Sequence, residues 1–232
     1  MSECFLSRLN IIGYSNIYRA DPEGMNRILE PIVKRLKSEL SRYNKALGIN
    51  NGLRFHQMYG DTLDISFETG ENDDVRFLAL LDVTCMIQME LTRAGLMVRG
   101  AIVRGDLIDN PRIFTGIAMV EAATIEKDVD SPHLRLDPNA IEMLGSSVHL
   151  LFPNTEDQRT YLQQTVYDDD KLDFLHHVPY VIPYDADGDE SALQASIAHI
   201  EEVSMRNIVD EKSLKTSETM LKGLKRYCKH RV

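Results

Sequence analysis

Asp61 and Asp106 are the residues of this 232-residue chain whose type, neighbours and setting point most directly to chemistry. Each follows a glycine, in Gly60-Asp61 and Gly105-Asp106. Each also stands at or near the end of an apolar, β-prone run: RFHQMYGDTLDISF for Arg54–Phe67 and LMVRGAIVRGDLID for Leu96–Asp109. A carboxylate closing an apolar strand is costly without a partner, and an adjacent glycine lets a ligand approach closely. Two carboxylates held near each other repel strongly unless a hard divalent cation lies between them. Between the two runs lies Val75–Leu91, apolar and long enough for a helix. A strand ending in Asp, a helix, and a second strand carrying Asp make a βαβ-type arrangement that brings the two acids to one sheet edge. A metal site made by Asp61 and Asp106 is the resulting expectation.

The rest of the chain supplies elements to hold such a site. Cys4–Ile12 reads as a strand closed by Gly13-Tyr14-Ser15-Asn16. A helix begins at Asp21-Pro22, with Asp as cap and Pro in the first turn. It keeps apolar spacing through Met25, Ile28, Leu29, Ile32, Val33, Leu36, Leu40, Tyr43 and Leu47, and Pro31 is expected to kink or split it. Leu53–Phe67 is expected as one strand carrying Asp61, and Val75–Leu91 as a buried helix stopped by Gly95. Leu96–Val103 is a strand, Arg104-Gly105-Asp106 a turn or strand end, and Asp109-Asn110-Pro111 a tight turn. Gly116–Lys127 is a tightly packable helix, His133–Leu136 a short strand, and Asp137-Pro138-Asn139 the start of a helix through Leu144. Val148–Leu151 and Tyr161–Val166 read as further strands, and Phe174–Pro183 as extended. Helices over Ala192–Val209 and Ser213–His230 close the chain. The organisation is one α/β unit over residues 1–190 with a C-terminal helical appendage over 191–232 packed on it.

Composition narrows the classes. The chain is 43% hydrophobic and 27% charged, which suits a globular protein with a substantial core. A formal net charge of −10 argues against broad, nonspecific binding to nucleic acid or anionic membrane. Cys4, Cys85 and Cys228 lie far apart, without metal-ligand or redox spacing, as expected in a reducing compartment. No signal peptide and no membrane-spanning run is read, so a cytoplasmic protein is expected. His176 and His177, as strand neighbours, would face opposite ways, and Asp185–Glu190 (DADGDE) reads as a solvated loop because its glycine comes too early for a calcium loop.

The local words around the two acids carry a family resemblance. Tyr59-Gly60-Asp61-Thr62-Leu63-Asp64-Ile65-Ser66 resembles the first metal-binding strand of class III nucleotidyl cyclases, and Val98–Ile108 resembles their hairpin with its Gly-Asp turn. RGAIVRGDL, followed by a small-residue helix ending Ala123-Thr124-Ile125-Glu126, resembles more closely the pyrimidine (uridylate) cyclases of bacterial antiphage, Pycsar-type, systems. The resemblance covers Leu9 to Leu144 and implies a class III adenylate/guanylate cyclase-like α/β fold, a ferredoxin-like core sheet with packed helices. It implies that Asp61, the Thr62 backbone carbonyl and Asp106 hold Mn²⁺ or Mg²⁺, that Asp61 and Asp106 are catalytic, and that Tyr59, Arg99 and Arg104 contact substrate. It further implies conversion of UTP, or alternatively CTP, to its 3′,5′-cyclic monophosphate and pyrophosphate. A homodimer and a separate cyclic-nucleotide-sensing effector go with that activity.

The chain also departs from the family pattern. Gly-aromatic-Thr of the first motif becomes Asp64-Ile65-Ser66, and the Asn and Arg that stabilise the transition state in many class III enzymes are matched by Val120 and Thr124. A second alignment takes LNIIGYSN as the first strand, which puts Asn10 at the metal Asp and leaves Asp61 as the second carboxylate. The first alignment is preferred because it keeps both acids. The alternatives are a catalytically silent cyclase-like module that binds a nucleotide or a partner, and a metal-dependent nuclease using the same acids.

Overall fold

SECFLSRLNI forms a central strand because its side chains alternate between two apolar surfaces. This strand, β1 (Ser2–Ile11), buries Phe5, Leu9 and Ile11 on one face and Cys4 and Leu6 on the other. Gly13, in the left-handed region at φ 75°, turns the chain into a short helix, α1 (Tyr14–Ala20). The Asp21 carboxylate then accepts from the Gly24 N–H at 2.8 Å and opens α2 (Pro22–Leu47). There follow β2 (Arg54–Tyr59), β3 (Thr62–Glu68), α3 (Asp73–Arg93), β4 (Val98–Asn110), β5 (Ile113–Thr115), α4 (Ile117–Asp128), β6 (Leu134–Leu136), α5 (Pro138–Leu151) and β7 (Phe174–Leu175). The computed structural model describes residues 2–48, 52–110, 113–128, 134–151 and 174–175.

The strands lie in the order β2-β3-β1-β4-β6-β7, with β5 added to β4, and every pair is antiparallel except β4 with β6. The run from β1 to β4, crossed over by α1–α2 and then by α3, is a βαββαβ unit. Its inner order β2-β3-β1-β4 is the ferredoxin-like one, as the sequence reading expects. The main core joins one sheet face to α2, α3 and α5, and at its centre Phe5 stacks on Phe67 at 5.3 Å and meets Phe77 edge-on at 5.1 Å. The opposite face is covered by α4, whose Ala118 and Ala122 bury Leu6, Ala101, Val103 and Leu107. Among the described residues no helix is long and apolar enough to cross a membrane.

Four local expectations are corrected. Pro31 lies inside an unbroken α2, because it removes one backbone donor from a 26-residue helix that Met25, Leu29, Ile32, Leu36 and Leu40 anchor by burial. Leu53–Phe67 is a hairpin and not one strand, since Gly60 adopts φ 61° and reverses the chain. Arg104-Gly105-Asp106 is no turn; β4 runs straight through it, paired to β1. Val148–Leu151 continues α5, which begins where the Ala140 N–H donates to the Asp137 carboxylate at 2.7 Å. The expectations for Tyr161–Val166, for most of Phe174–Pro183, for Asp185–Glu190 and for the appendage 191–232 lie outside the described residues.

Candidate functional site

Tyr59 closes β2 opposite Thr62, the first residue of β3, and leaves Gly60-Asp61 as the two-residue turn between them. The Ile11 N–H donates to the Asp61 carbonyl oxygen at 2.8 Å, so the turn is fixed to the end of β1. Thr62 Oγ1 donates to Asp61 Oδ1 at 3.1 Å, and Asn10 Nδ2 reaches Thr62 Oγ1 at 3.5 Å. Asn10 and Thr62 are also direct partners in the β1–β3 register. Asn10, Thr62 and Asp61 therefore form one polar row at one end of the sheet. Tyr14, the first residue of α1, adjoins it: burial first, then the neighbouring Tyr18 and Asp61, push its phenol above the usual value.

Asp106 is not part of this row, which corrects the expected Asp61–Asp106 pair. In the β1–β4 register Asp106 lies opposite Glu3, while Asn10 lies opposite Arg99. Asp61 is level with Ile11 and Asp106 with Glu3, eight residues apart on β1, so at roughly 3.3 Å per residue about 26 Å of strand separates the two aspartate positions. The reason is directional. β3 and β4 both run antiparallel to β1, and hence parallel to each other. Asp61 precedes the first residue of β3 and Asp106 comes late in β4, so the acids fall at opposite ends. Gly105 serves packing there: a Cβ on it would come within 3.2 Å of the Ala118 backbone of α4.

The two candidate arginines separate in the same way. Arg99 lies at the Asn10 end, with its Nε donating to Glu126 at 2.8 Å. Arg104 lies toward the Asp106 end and donates to Glu3 at 2.8 Å. Between the row and α4 sits an ion pair that the sequence reading missed: Arg8 donates twice to Asp64, at 2.8 and 2.7 Å, and to the Met119 carbonyl at 3.3 Å. The Arg8 and Asp64 side chains are 12% and 5% exposed, so the pair is a desolvated clamp between β1 and β3. Its signal was in the sequence, because Arg8 and Asp64 interrupt apolar alternation at positions that must each find a partner. Val120 and Thr124 lie on the outer surface of α4, with Val120 62% exposed and Thr124 Oγ1 turned back to the Val120 carbonyl at 2.8 Å.

The row offers one carboxylate (Asp61), one amide (Asn10) and one hydroxyl (Thr62), all oxygen donors for a hard cation. Among the described residues no cluster of three or more His, Cys, Asp or Glu could hold a metal ion. The donor set fits a single Mg²⁺ or Mn²⁺ whose remaining ligands are phosphate oxygens and water, the usual way a nucleotide-bound ion is held. It does not fit a two-ion site bridged by two carboxylates.

No protein-family model matches the chain, and no curated protein matches it. Its structure is similar to an adenylyl cyclase of P. aeruginosa, CyaB (TM-score 0.49, 10% identity, 62% of this chain and 81% of that one). It is also similar to the guanylate cyclase domain of RhGC from Catenaria anguillulae, solved with GTP (TM-score 0.46, 12% identity, 62% and 82%). A third likeness is to adenylate cyclases of Trypanosoma brucei in their monomeric state (TM-score 0.47, 13% identity, 69% and 80%).

Proposed function

We propose that this chain is a nucleotidyl cyclase-type domain that takes the divalent-metal complex of a nucleoside triphosphate, UTP for preference, at the row formed by Asn10, Thr62 and Asp61. The observation that carries the reading is the convergence of those three side chains at the end of β1, two of which, Asn10 and Asp61, are the metal positions of the second sequence alignment. Asp61 would hold the ion, and the turn locked by Ile11 keeps its carboxylate at the sheet edge. A bound Mn²⁺ or Mg²⁺ supplies Lewis acidity to the triphosphate oxygens. Tyr14 offers an aromatic ring beside the turn, stacked on Tyr18 at 5.4 Å. With Asn10 neutral and Asp106 at the far end of the sheet, the row carries one negative charge, which suits holding one ion and a nucleotide better than the two-ion chemistry of turnover.

A second reading is full catalysis, UTP to cyclic UMP and pyrophosphate, by a homodimer that signals to a separate effector. It is favoured by Asn10, whose amide also carries an oxygen donor and whose nitrogen reaches Thr62 at 3.5 Å, and by the Pycsar-like words RGAIVRGDL and Ala123–Glu126. Incubation with Mn²⁺ or Mg²⁺ and each of ATP, GTP, CTP and UTP, with calorimetry for binding and mass spectrometry for products, separates the two. Metal-dependent UTP binding without cyclic product supports the first reading. Cyclic UMP supports the second, and no binding of any nucleotide with either metal contradicts both.

A further inference from the structure

On the main-core side of the sheet and away from the Asp61 turn, the C-terminal half of α2 and the edge strand β2 line an open surface groove of about 730 Å³. Its floor is Leu40, Leu53 and the ring of Phe55, and among the described residues its charged lining is Lys37 and Lys45. A lining with cations and no anion among the described residues stands out in a chain of net charge −10. Among the described residues neither lysine pairs with a carboxylate; Lys37 instead places its ammonium 5.7 Å from the Phe55 ring centroid. The two lysines are eight residues apart on α2, so their Cα atoms are about 12 Å apart at 1.5 Å per residue and face the groove at its two ends. The walls are braced. Asn44 donates its Nδ2 to the Leu53 carbonyl and accepts the Leu53 N–H at its Oδ1, both at 2.8 Å, which pins the start of β2 to α2.

We propose that this groove is a binding site for a small phosphorylated molecule with a flat ring, of nucleoside monophosphate size. The volume lies in the range of small-ligand pockets. The ring would lie on the apolar floor beside Phe55, and the phosphate would take the ammonium of Lys37 or Lys45, each of which has donors to spare. No metal is required, since the anion meets protein cations directly. This separates the groove from the Asp61 row, where the charge is negative and a cation must intervene. The site does not rest on the reading of that row.

The test is calorimetric titration of the full chain with UMP, AMP, uridine and inorganic phosphate in the presence of EDTA, with amide shift mapping by NMR. The expected result is binding of UMP or AMP that shifts amides around Lys37–Gly48 and Leu53–Phe55. Uridine and inorganic phosphate should each bind at least tenfold more weakly. The Lys37→Ala/Lys45→Ala double variant should weaken nucleotide binding at least tenfold, and Asp61→Ala should leave it within twofold. Both lysines are on a helix surface, and circular dichroism checks that the double variant is folded. The proposal is overturned if neither nucleotide binds at millimolar concentration, if phosphate alone binds as tightly as UMP, if the double variant binds normally, or if Asp61→Ala weakens binding as much as the lysine changes do.

Discussion

The Ile11 N–H and the Asp61 carbonyl oxygen meet at 2.8 Å, and this bond fastens the β2–β3 turn to the end of β1. It places the one turn carboxylate beside Asn10, a residue that is polar, neutral and similar in shape to aspartate. The electrostatics of the edge follow: one negative charge, one amide and one hydroxyl, where a second acid would change both the affinity for cations and the number of ions held.

Restoring that charge is therefore informative. Asn10→Asp should raise Mn²⁺ affinity at least tenfold in the presence of UTP, because a second carboxylate would face the same ion at short range. Calorimetric titration checks this, and cyclic product appearing only in the variant would assign the missing turnover to position 10.

The Arg8–Asp64 clamp should matter more for stability than its single pair suggests. Removing one partner leaves a charge buried, so Arg8→Ala should cost about 3–5 kcal/mol. Arg8→Met/Asp64→Leu, which removes both charges, should cost clearly less than the single change. Urea unfolding of the three chains measures the difference.

Glycine positions separate strain from collision. At Gly60 a Cβ would meet nothing within 4 Å, but φ is 61°, so Gly60→Ala should cost about 1 kcal/mol through the left-handed backbone alone. At Gly100 a Cβ would come 2.1 Å from the Arg8 carbonyl oxygen, so Gly100→Ala must force β4 away from β1 and should cost more than Gly60→Ala. Thermal unfolding ranks the two.

Much of the element order was legible in the sequence because alternation and helical spacing are local properties, although α1, the β2–β3 hairpin and the end of α5 were not. β1, α3, α4 and the start of α5 follow from apolar periodicity and caps. The site was legible only in part. Asp61 and its glycine stand out as a candidate site, yet that they form a turn depends on the φ of Gly60, and this decides which end of the sheet Asp61 occupies. Reading Leu53–Phe67 as a single strand moved Asp61 to the wrong end relative to β4 and so paired it with Asp106. Asn10 was visible as the alternative, but one chain gives no local signal of strand register, which here comes from β1 inserting between β3 and β4.

Acid should weaken the β2–β3 end through His56. Its Nε2 lies 2.7 Å from Ser66 Oγ, its ring stacks on Phe114 at 3.9 Å, and its Nδ1 faces Asp109 at 3.7 Å. Burial pushes its pKa below the usual value, opposed by Asp109 and Asp64 and aided by Arg54. A histidine with a lowered folded pKa binds more protons when unfolded. Its stabilising contribution is therefore full above the unfolded value of about 6.5 and is lost as pH falls through the folded value. Urea unfolding at pH 7.5 and 5.5 should show His56→Gln losing less stability than the wild type over that interval; equal losses would assign the acid sensitivity to other groups.

The most direct measurement of the central claim is Mn²⁺-dependent UTP binding by Asp61→Ala and Asp106→Ala, side by side with the unmodified chain. If the row of Asn10, Thr62 and Asp61 holds the metal–nucleotide complex, Asp61→Ala weakens binding at least tenfold and Asp106→Ala leaves it within twofold. Equal loss in both variants, or loss in Asp106→Ala alone, would contradict it.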